Sequence, residues 1–509
     1  MAGWRAPLAV TLAALLAGGV GGALLFQTGD QTRRHVVVDG VPLDVVHPAG
    51  AARTSRRPGV VVAHGYAGSA RLMAPFGDTL AARGYVVVLL DFTGHGADTR
   101  PLPDATASTA ASTEALQRDL AVAMSYLRSL SDVDPDRVAL VGHSMGADAV
   151  TRYALAHPEV RATVAISLPD SSFLPAKGPA RLLLLVGGLE IPGIRAAAAD
   201  WARRGGHTVV VPAVEHISIL FAPGTHREML AWLDGTFGLT GPATGVPLPG
   251  RAPGGHAPAS PLRRPVGAAL LLLAFLAGLY PVARLVLGGT GSWPGLPRPG
   301  PVVAACVAAV VALAVARIAA RVPLPLALGG YLVGFTVAFG ATMLGCSRLP
   351  RRGSPAGRPA WPPQPVRPVR LRLAIATPAL IGYAAATIAV PLQLGLTHAV
   401  PVGARWWLLV CVWAGFAALA YGAGRACAGN SLGLLAVSAV AVVALALAAV
   451  TGLAPGFLVL IVPLLAILLL CQAVCSAVLH RYAAPAWLVA AVGSVLVAWP
   501  VATALPLVR

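Results

Sequence analysis

Arg137-Val138-Ala139-Leu140-Val141-Gly142-His143-Ser144-Met145-Gly146, continued by residues 147–156, decides the fold of this chain. The apolar run up to Val141 reads as a buried strand, and residues 147–156 suit a helix. Between them stands Gly-x-Ser-x-Gly, the form of a serine held on a sharp strand-to-helix turn. Such a serine has strained backbone angles and close neighbours. Side chains two positions to either side would not fit.

Outward from that stretch, strands and helices alternate through residues 30–240. Residues 36–38 and 43–46 flank Asp39-Gly40, which predicts an early hairpin. Residues 60–63 predict a buried strand, followed by a helix over 70–83. Residues 85–90 predict the next strand, then a loop and a helix over 113–130. Beyond the serine, strands are expected at 163–167, 181–186 and 207–211, with helices near 193–204 and 224–233. This alternation argues for an α/β fold, a doubly wound and mostly parallel sheet with helices on both faces.

His64-Gly65-Tyr66-Ala67-Gly68-Ser69 follows the third strand, and Asp91-Phe92-Thr93-Gly94-His95-Gly96 follows the fourth. With the serine turn, these segments make residues 35–235 resemble the α/β-hydrolase superfamily, in particular serine-esterase and dienelactone-hydrolase-like domains. That family carries a His-Gly oxyanion segment, an Asp-x-x-Gly-His-Gly loop and the serine turn in this order. The resemblance implies Ser144 as nucleophile, with an acid and then a histidine further along the chain. After the strand ending at Val186, the family's Gly-x-x-Asp takes the form Gly187-Gly188-Leu189-Glu190. Glu190 is the expected acid, and Asp170, in the loop after the preceding strand, is the alternative. Val214-Glu215-His216 puts His216 at the position of the base, whereas His226 is expected on the last helix. His64, His95 and His143 match structural positions of the motifs. The backbone N–H groups of Met145 and Tyr66 are the implied oxyanion donors, and no cofactor or metal is implied.

Thirteen residues separate Ser167 from Arg181, where relatives with a cap domain insert it. A nearly lidless site follows, with residues 97–113 able to cover it. Phe173 and Leu174 either line that site or pack in the core.

Composition divides the chain. Of its 509 residues 56% are hydrophobic, and the mean hydropathy is +0.73. All 20 Asp and Glu lie between Asp30 and Asp234, in company with 19 Lys and Arg. The net charge of +18 therefore resides in Arg5 and in the arginines from Arg251 onward. So basic a chain could bind nucleic acid. Arginines clustered between apolar spans serve membrane topology instead, and no nucleic-acid partner is expected. Cys306, Cys346, Cys411, Cys427, Cys471 and Cys475 all fall in or beside apolar spans, which leaves the strand-rich domain without a disulfide. Cys471 and Cys475 share a helical face but have no His, Asp or Glu at ligating spacing, so they read as packing residues.

Residues 6–26 are long enough to cross a bilayer and lack an Ala-x-Ala-like cleavage site, which predicts an uncleaved anchor over 1–29. The hydrolase domain follows over 30–240, and 241–265 form a Gly/Pro-rich tether. Residues 266–509 read as an all-α polytopic membrane domain of about eight helices: 266–287, 301–320, 322–346, 373–396, 404–427, 431–452, 455–480 and 484–506. The break at 347–372 holds seven arginines, which marks it as cytoplasmic. Counting back from it places residues 30–265 on the extracytoplasmic side of the cell membrane. No Asp or Glu follows Asp234, which argues against an ion-coupled transporter.

The expected activity is that of a membrane-anchored serine hydrolase cleaving a carboxylic ester or thioester through an acyl-enzyme. Its expected partners are the lipid bilayer and a small or lipid-like ester. The alternatives are an acyltransferase, or a membrane interaction or transport-associated protein whose hydrolase domain is inactive.

Overall fold

A computed structural model describes residues 2–27, 31–49, 56–104, 109–239, 259–288, 300–348 and 370–509. Helix α1 (Ala2–Phe26) is followed by β1 (Thr32–Val38), β2 (Val41–His47), β3 (Arg57–Ala63), α2 (Ala74–Arg83) and β4 (Val86–Leu90). Next come α3 (Ala110–Ser129), β5 (Val133–His143), α4 (Met145–Ala156), β6 (Ala162–Ile166) and β7 (Leu182–Gly187). The series closes with α5 (Pro192–Arg203), β8 (His207–Val211) and α6 (Pro223–Phe237). The eight strands form one sheet in the order β1-β2-β4-β3-β5-β6-β7-β8. β2 is antiparallel to both its neighbours, and the pairs from β4 through β8 are parallel. This is the doubly wound, mostly parallel α/β sheet that the alternation of strands and helices predicts.

Local chemistry sets these elements. Asp39 and Gly40 both have positive φ, 48° and 79°, the turn whose twist matches that of a two-residue hairpin. Val60, Val61 and Val62 at the sheet centre are wholly buried, and burying one such side chain contributes about 1.5–3 kcal/mol. Helix α2 starts four residues later than its sequence pattern suggests. Residue 70 is held in a loop by the bond from Ala70 N to Asp91 Oδ1 (2.7 Å), and Pro75 suits only a first turn. Helix α3 starts earlier because Thr109 caps it, accepting from Ser112 N at 3.3 Å.

β4 and β5 lie on opposite sides of β3, so the winding changes direction between β3 and β5. Ligands of open α/β sheets bind outside the carboxyl ends of the strands at such a switch. Those ends carry His64–Ser69 after β3 and Ser144 after β5.

By contacts the chain divides into two compact units. One comprises Gly22–Ala268 together with Leu392–Val402 and Ala504–Arg509; the other comprises Met1–Gly21, Ala269–Pro391 and Gly403–Thr503. These units cut across the divisions at 240 and 266 that composition suggests, because two short segments far along the chain are bonded into the strand-bearing unit. Most of the tether predicted over 241–265, up to residue 258, lies outside the described residues, as do 349–369 of the basic break.

The second unit is helical: α7 (Arg263–Leu287, from Ala269 on), α8 (Gly300–Ala319), α9 (Gly329–Arg348), α10 (Arg370–Gly395, up to Pro391), α11 (Arg405–Ala426), α12 (Ser431–Val450), α13 (Leu458–Arg481) and α14 (Ala486–Ala504). With α1, nine helices among the described residues are long and apolar enough to cross a membrane. The span expected over 322–346 begins only at Gly329, since Pro323 and Pro325 cannot supply helical N–H groups. α9 and α11 meet where small residues let backbones touch: a Cβ on Gly422 would lie 2.0 Å from Gly340 O.

Candidate active site

Ser144 sits at φ 52°, ψ −116° between β5 and α4, a strained conformation costing about 1–3 kcal/mol. Its N–H donates to Ile166 O at 2.8 Å. A Cβ on Gly142 would stand 2.2 Å from Gly146 O, and one on Gly146 would stand 2.5 Å from His64 O. Both glycines are therefore required by close approach. The turn holds Ser144 partly exposed while its neighbours are buried.

The sheet brings a histidine and a carboxylate to this serine. Ser144 Oγ lies 3.1 Å from His216 Nε2, and His216 Nδ1 lies 3.0 Å from Glu190 Oε1. With an ionised carboxylate as acceptor, Nδ1 carries the proton and Nε2 accepts from the serine hydroxyl. His216 lies after β8, where three contacts hold its loop. His143 Nε2 donates to His216 O (2.9 Å), and the Glu215 carboxylate accepts from Ile217 N (2.8 Å) and Ser218 N (2.7 Å). Leu189 N donates to Val214 O at 2.9 Å, which ties the acid loop to the histidine loop.

Glu190 is a methylene longer than the aspartate of the family pattern, and its carboxylate is fixed by further donors. Ser167 Oγ donates to Oε2 (2.6 Å) and Ile191 N to Oε1 (3.0 Å). Burial works to raise its pKa. The hydrogen bonds from His216 and Ser167, the charge of His216 and the Ile191 N–H together outweigh it and hold the carboxyl below its ordinary value. Asp170, the alternative acid, is exposed, and its carboxylate is taken by Ser172 N (2.8 Å) and Ser172 Oγ (2.6 Å). The structure thus brings Glu190 to His216.

On the other side of Ser144 runs the loop after β3. A Cβ on Gly65 would lie 3.1 Å from Ser144 Cβ, so the backbone entering Tyr66 passes directly against the serine turn. Met145 opens α4 immediately after Ser144. The Tyr66 ring meets His95 edge-on at 5.5 Å, and burial first, then Asp104, pushes its phenol above the ordinary value. His64 Nδ1–H donates to Gly65 O (2.7 Å), and its Nε2 accepts from Phe92 N (3.1 Å). Asp91 spans the two motif loops by accepting from Ala70 N (2.7 Å) and Ala97 N (2.9 Å). His226 lies on α6, away from this chain of bonds, between Thr79 Oγ1 and Leu220 O.

Sequence reasoning missed Ser167 as a partner of the acid. A serine ending a strand carries no local sign of such a role, although its φ of +54° marks a special backbone position once the fold is known. The connection between β6 and β7 forms no helix or strand, so no cap domain stands there. Leu174 packs in a core cluster with Trp201, and Phe173 lies against it with the Arg152 guanidinium 3.9 Å over its ring. Exposed instead beside the acid and the histidine are Leu189, Ile191 and Ile217.

Burial sets an acid sensitivity. It lowers His64 to about 4, His143 to about 3 and His226 to about 4, from 6.5. Below pH 6.5 the unfolded chain takes up protons on these rings while the folded unit does not, so their contribution to stability is full above about 6.5 and is lost as pH falls toward 4. Asp91, raised to about 6 by burial, acts in the opposite sense, one carboxyl against three histidines. Thermal melting of the full chain in detergent should shift to lower temperature between pH 6.5 and 4.5. A melting temperature that stays flat or rises across that interval would contradict this reading.

Comparison with known proteins bears on the same region. Residues 54–187 match the family model described as serine aminopeptidase, S33. Uncharacterized proteins from two strains of Mycobacterium tuberculosis are each 33% identical over 102 residues, 20% of this chain and 33% of theirs. The chain thus spans about a third of the length of the curated relatives it matches. Among solved structures, a dienelactone hydrolase from Anabaena variabilis aligns at 20% identity and TM-score 0.32 over 42% of this chain and 99% of its own. An epoxide hydrolase from Vigna radiata aligns at 15% identity and TM-score 0.32 over 40% and 98%.

Proposed function

We propose that this protein is a membrane-bound serine hydrolase of the α/β-hydrolase type, acting on ester-type bonds. The observation that carries the proposal is the hydrogen-bonded series Ser144–His216–Glu190, with Ser144 on a strained turn at the switch point of the sheet. Ser144 Oγ attacks the carbonyl carbon, its proton passes to His216 Nε2, and the carbonyl electrons move to oxygen. The N–H groups of Met145 and Tyr66 receive that oxyanion. On collapse the alkoxide or thiolate leaves with the proton from His216. Water, deprotonated by the same imidazole, then releases the acid and restores Ser144. Glu190 stays ionised throughout, orienting the ring and stabilising its charged form.

The apolar rim of Leu189, Ile191 and Ile217 supports a substrate with an apolar acyl group or alcohol. An Ile217→Gln variant should lose about 5- to 20-fold in kcat/KM for an octanoyl ester and under about twofold for an acetyl ester, since one lost apolar contact is worth roughly 1–2 kcal/mol. Equal losses on both esters would refute the rim's role. The aminopeptidase description of the matching family supports a second reading, cleavage of an N-terminal peptide bond by the same acylation. Esters are favoured because a free α-ammonium calls for an open carboxylate. Glu215, the exposed acid beside His216, is already engaged by two backbone N–H groups.

The helices support a location in the cell membrane. Arginines of 349–369 favour the cytoplasm. Alternating the nine candidate spans of the described residues would put residues 27–262, 396–404 and 505–509 together on the opposite face. Those are the stretches that group with the strands, which supports this orientation.

Treating the full chain in membranes with a fluorophosphonate and mapping the adduct tests the function. Modification at Ser144 is expected, with a panel of esters, thioesters and aminoacyl amides then ranking the substrate classes. Folded protein that takes no label would favour the inactive-domain alternative.

A further inference from the structure

The unit that carries Ser144 is completed by two short segments distant in sequence. Leu507 N donates to Gly94 O (2.8 Å), Leu102 N to Leu507 O (2.8 Å) and Arg509 N to Leu102 O (3.1 Å). Residues 507–509 thus lie alongside the loop that runs from Gly94 to Leu102, with Val508 in a parallel bridge to Leu102. Leu102, Leu507 and Val508 are all buried. A Cβ on Gly94 would stand 2.6 Å from Leu507 O, so glycine is demanded there by this contact as well as by its φ of +80°. At the neighbouring loop, Ser69 Oγ shares a hydrogen bond with Thr397 Oγ1 (2.9 Å) and accepts from His398 N (3.1 Å). Ser69 is 1% exposed.

Both contacts reach Ser144 by short paths. Gly94 precedes His95, whose ring packs edge-on against Tyr66. Ser69 lies three residues beyond Tyr66, whose own preceding residue, Gly65, presses on the serine turn. Asp91 joins the two loops from within through Ala70 N and Ala97 N. Each loop is therefore held from inside by Asp91 and from outside by a segment that directly follows α10 or α14.

We propose that residues 505–509 and the pair Thr397 and His398 are positioning elements of the hydrolase site, holding the Tyr66 backbone in register with Ser144 so that acylation reaches its full rate. This rests on the hydrolase reading of Ser144 and extends it to parts of the chain that composition assigns to the membrane domain. Neither segment touches the reacting atoms. They act by fixing a loop whose N–H must meet an oxyanion, where a displacement of about 1 Å can cost on the order of 100-fold.

The test uses the full chain in membranes, a fluorophosphonate concentration series, and two readouts, the maximal rate of labelling and the fraction finally labelled. Deleting 505–509 should lower the maximal rate by about 10- to 100-fold. Leu507→Pro, which removes the donor to Gly94 O together with the buried leucine side chain, and Thr397→Val should each lower it several-fold. Thr397→Ser, which keeps the hydroxyl, should restore it. In every variant the final labelled fraction should equal that of the wild type. A normal rate with a reduced final fraction would mean that the segments only stabilise the fold, and would overturn the proposal. Normal rate and normal fraction would overturn it too, while leaving the hydrolase reading intact. A wild type that takes no label would sink both.

Discussion

Ser144→Ala should lower kcat for hydrolysis of an activated ester by about a millionfold while leaving KM nearly unchanged, the scale of loss when a serine hydrolase loses its nucleophile. The size of the effect follows from the geometry. In the proposed mechanism Ser144 Oγ is the atom that bonds to the carbonyl carbon, and among the described residues it is the hydroxyl that the His216 imidazole meets, at 3.1 Å. Substrate contacts are untouched, so ground-state binding persists. His216→Ala should cost about as much, and the double variant should be hardly worse than either single one, because the two groups act as one unit. Rates of p-nitrophenyl ester hydrolysis by purified full chain decide the matter. If Ser144→Ala keeps activity within about tenfold of the wild type, the acyl-enzyme mechanism is wrong.

Glu190→Gln is the second large effect, with an expected loss of about 10,000-fold in kcat. A glutamine amide can donate to His216 Nδ1, which favours the tautomer whose Nε2 already bears a proton and cannot take one from Ser144. It also removes the negative charge that stabilises the imidazolium. The bond from Ser167 Oγ to the other oxygen, Oε2, is kept by the amide carbonyl and holds the side chain in place, whereas the Ile191 N–H, which shares Oε1 with His216, loses its acceptor. Asp170→Asn should change kcat by less than about twofold, because its exposed carboxylate bonds only within its own loop and a surface change of this kind leaves the triad undisturbed. Steady-state kinetics on both variants separate the two acids. A severe loss in Asp170→Asn with a mild one in Glu190→Gln would reverse their roles.

The stretch around Ser144 was legible because its causes are local. A buried strand, two glycines forced by contact and a helix lie within about twenty residues, and each leaves a mark on composition or spacing. Asp39-Gly40 was legible for the same reason, its positive φ angles being the ones those residue types allow. The glutamate at 190 could be placed at a strand end by pattern. That it reaches His216 depends on the adjacency of β7 and β8 and on the Leu189–Val214 bond between their loops. Phe173 and Leu174 were ambiguous because an apolar loop residue looks alike at a pocket wall and in a core; packing against Trp201 decides it.

By itself the sequence determined the order of strands and helices, the apolar spans and the serine turn. Each of these follows from the hydropathy and backbone preferences of neighbouring residues. Only the tertiary structure decided that Glu190 takes three donors, that Asp91 joins two loops, and that Thr397, His398 and Leu507 belong beside them. The physical reason is distance along the chain. Ser69 and Thr397 are 328 residues apart, and a hydrogen bond between them imposes no periodicity or composition on the residues in between.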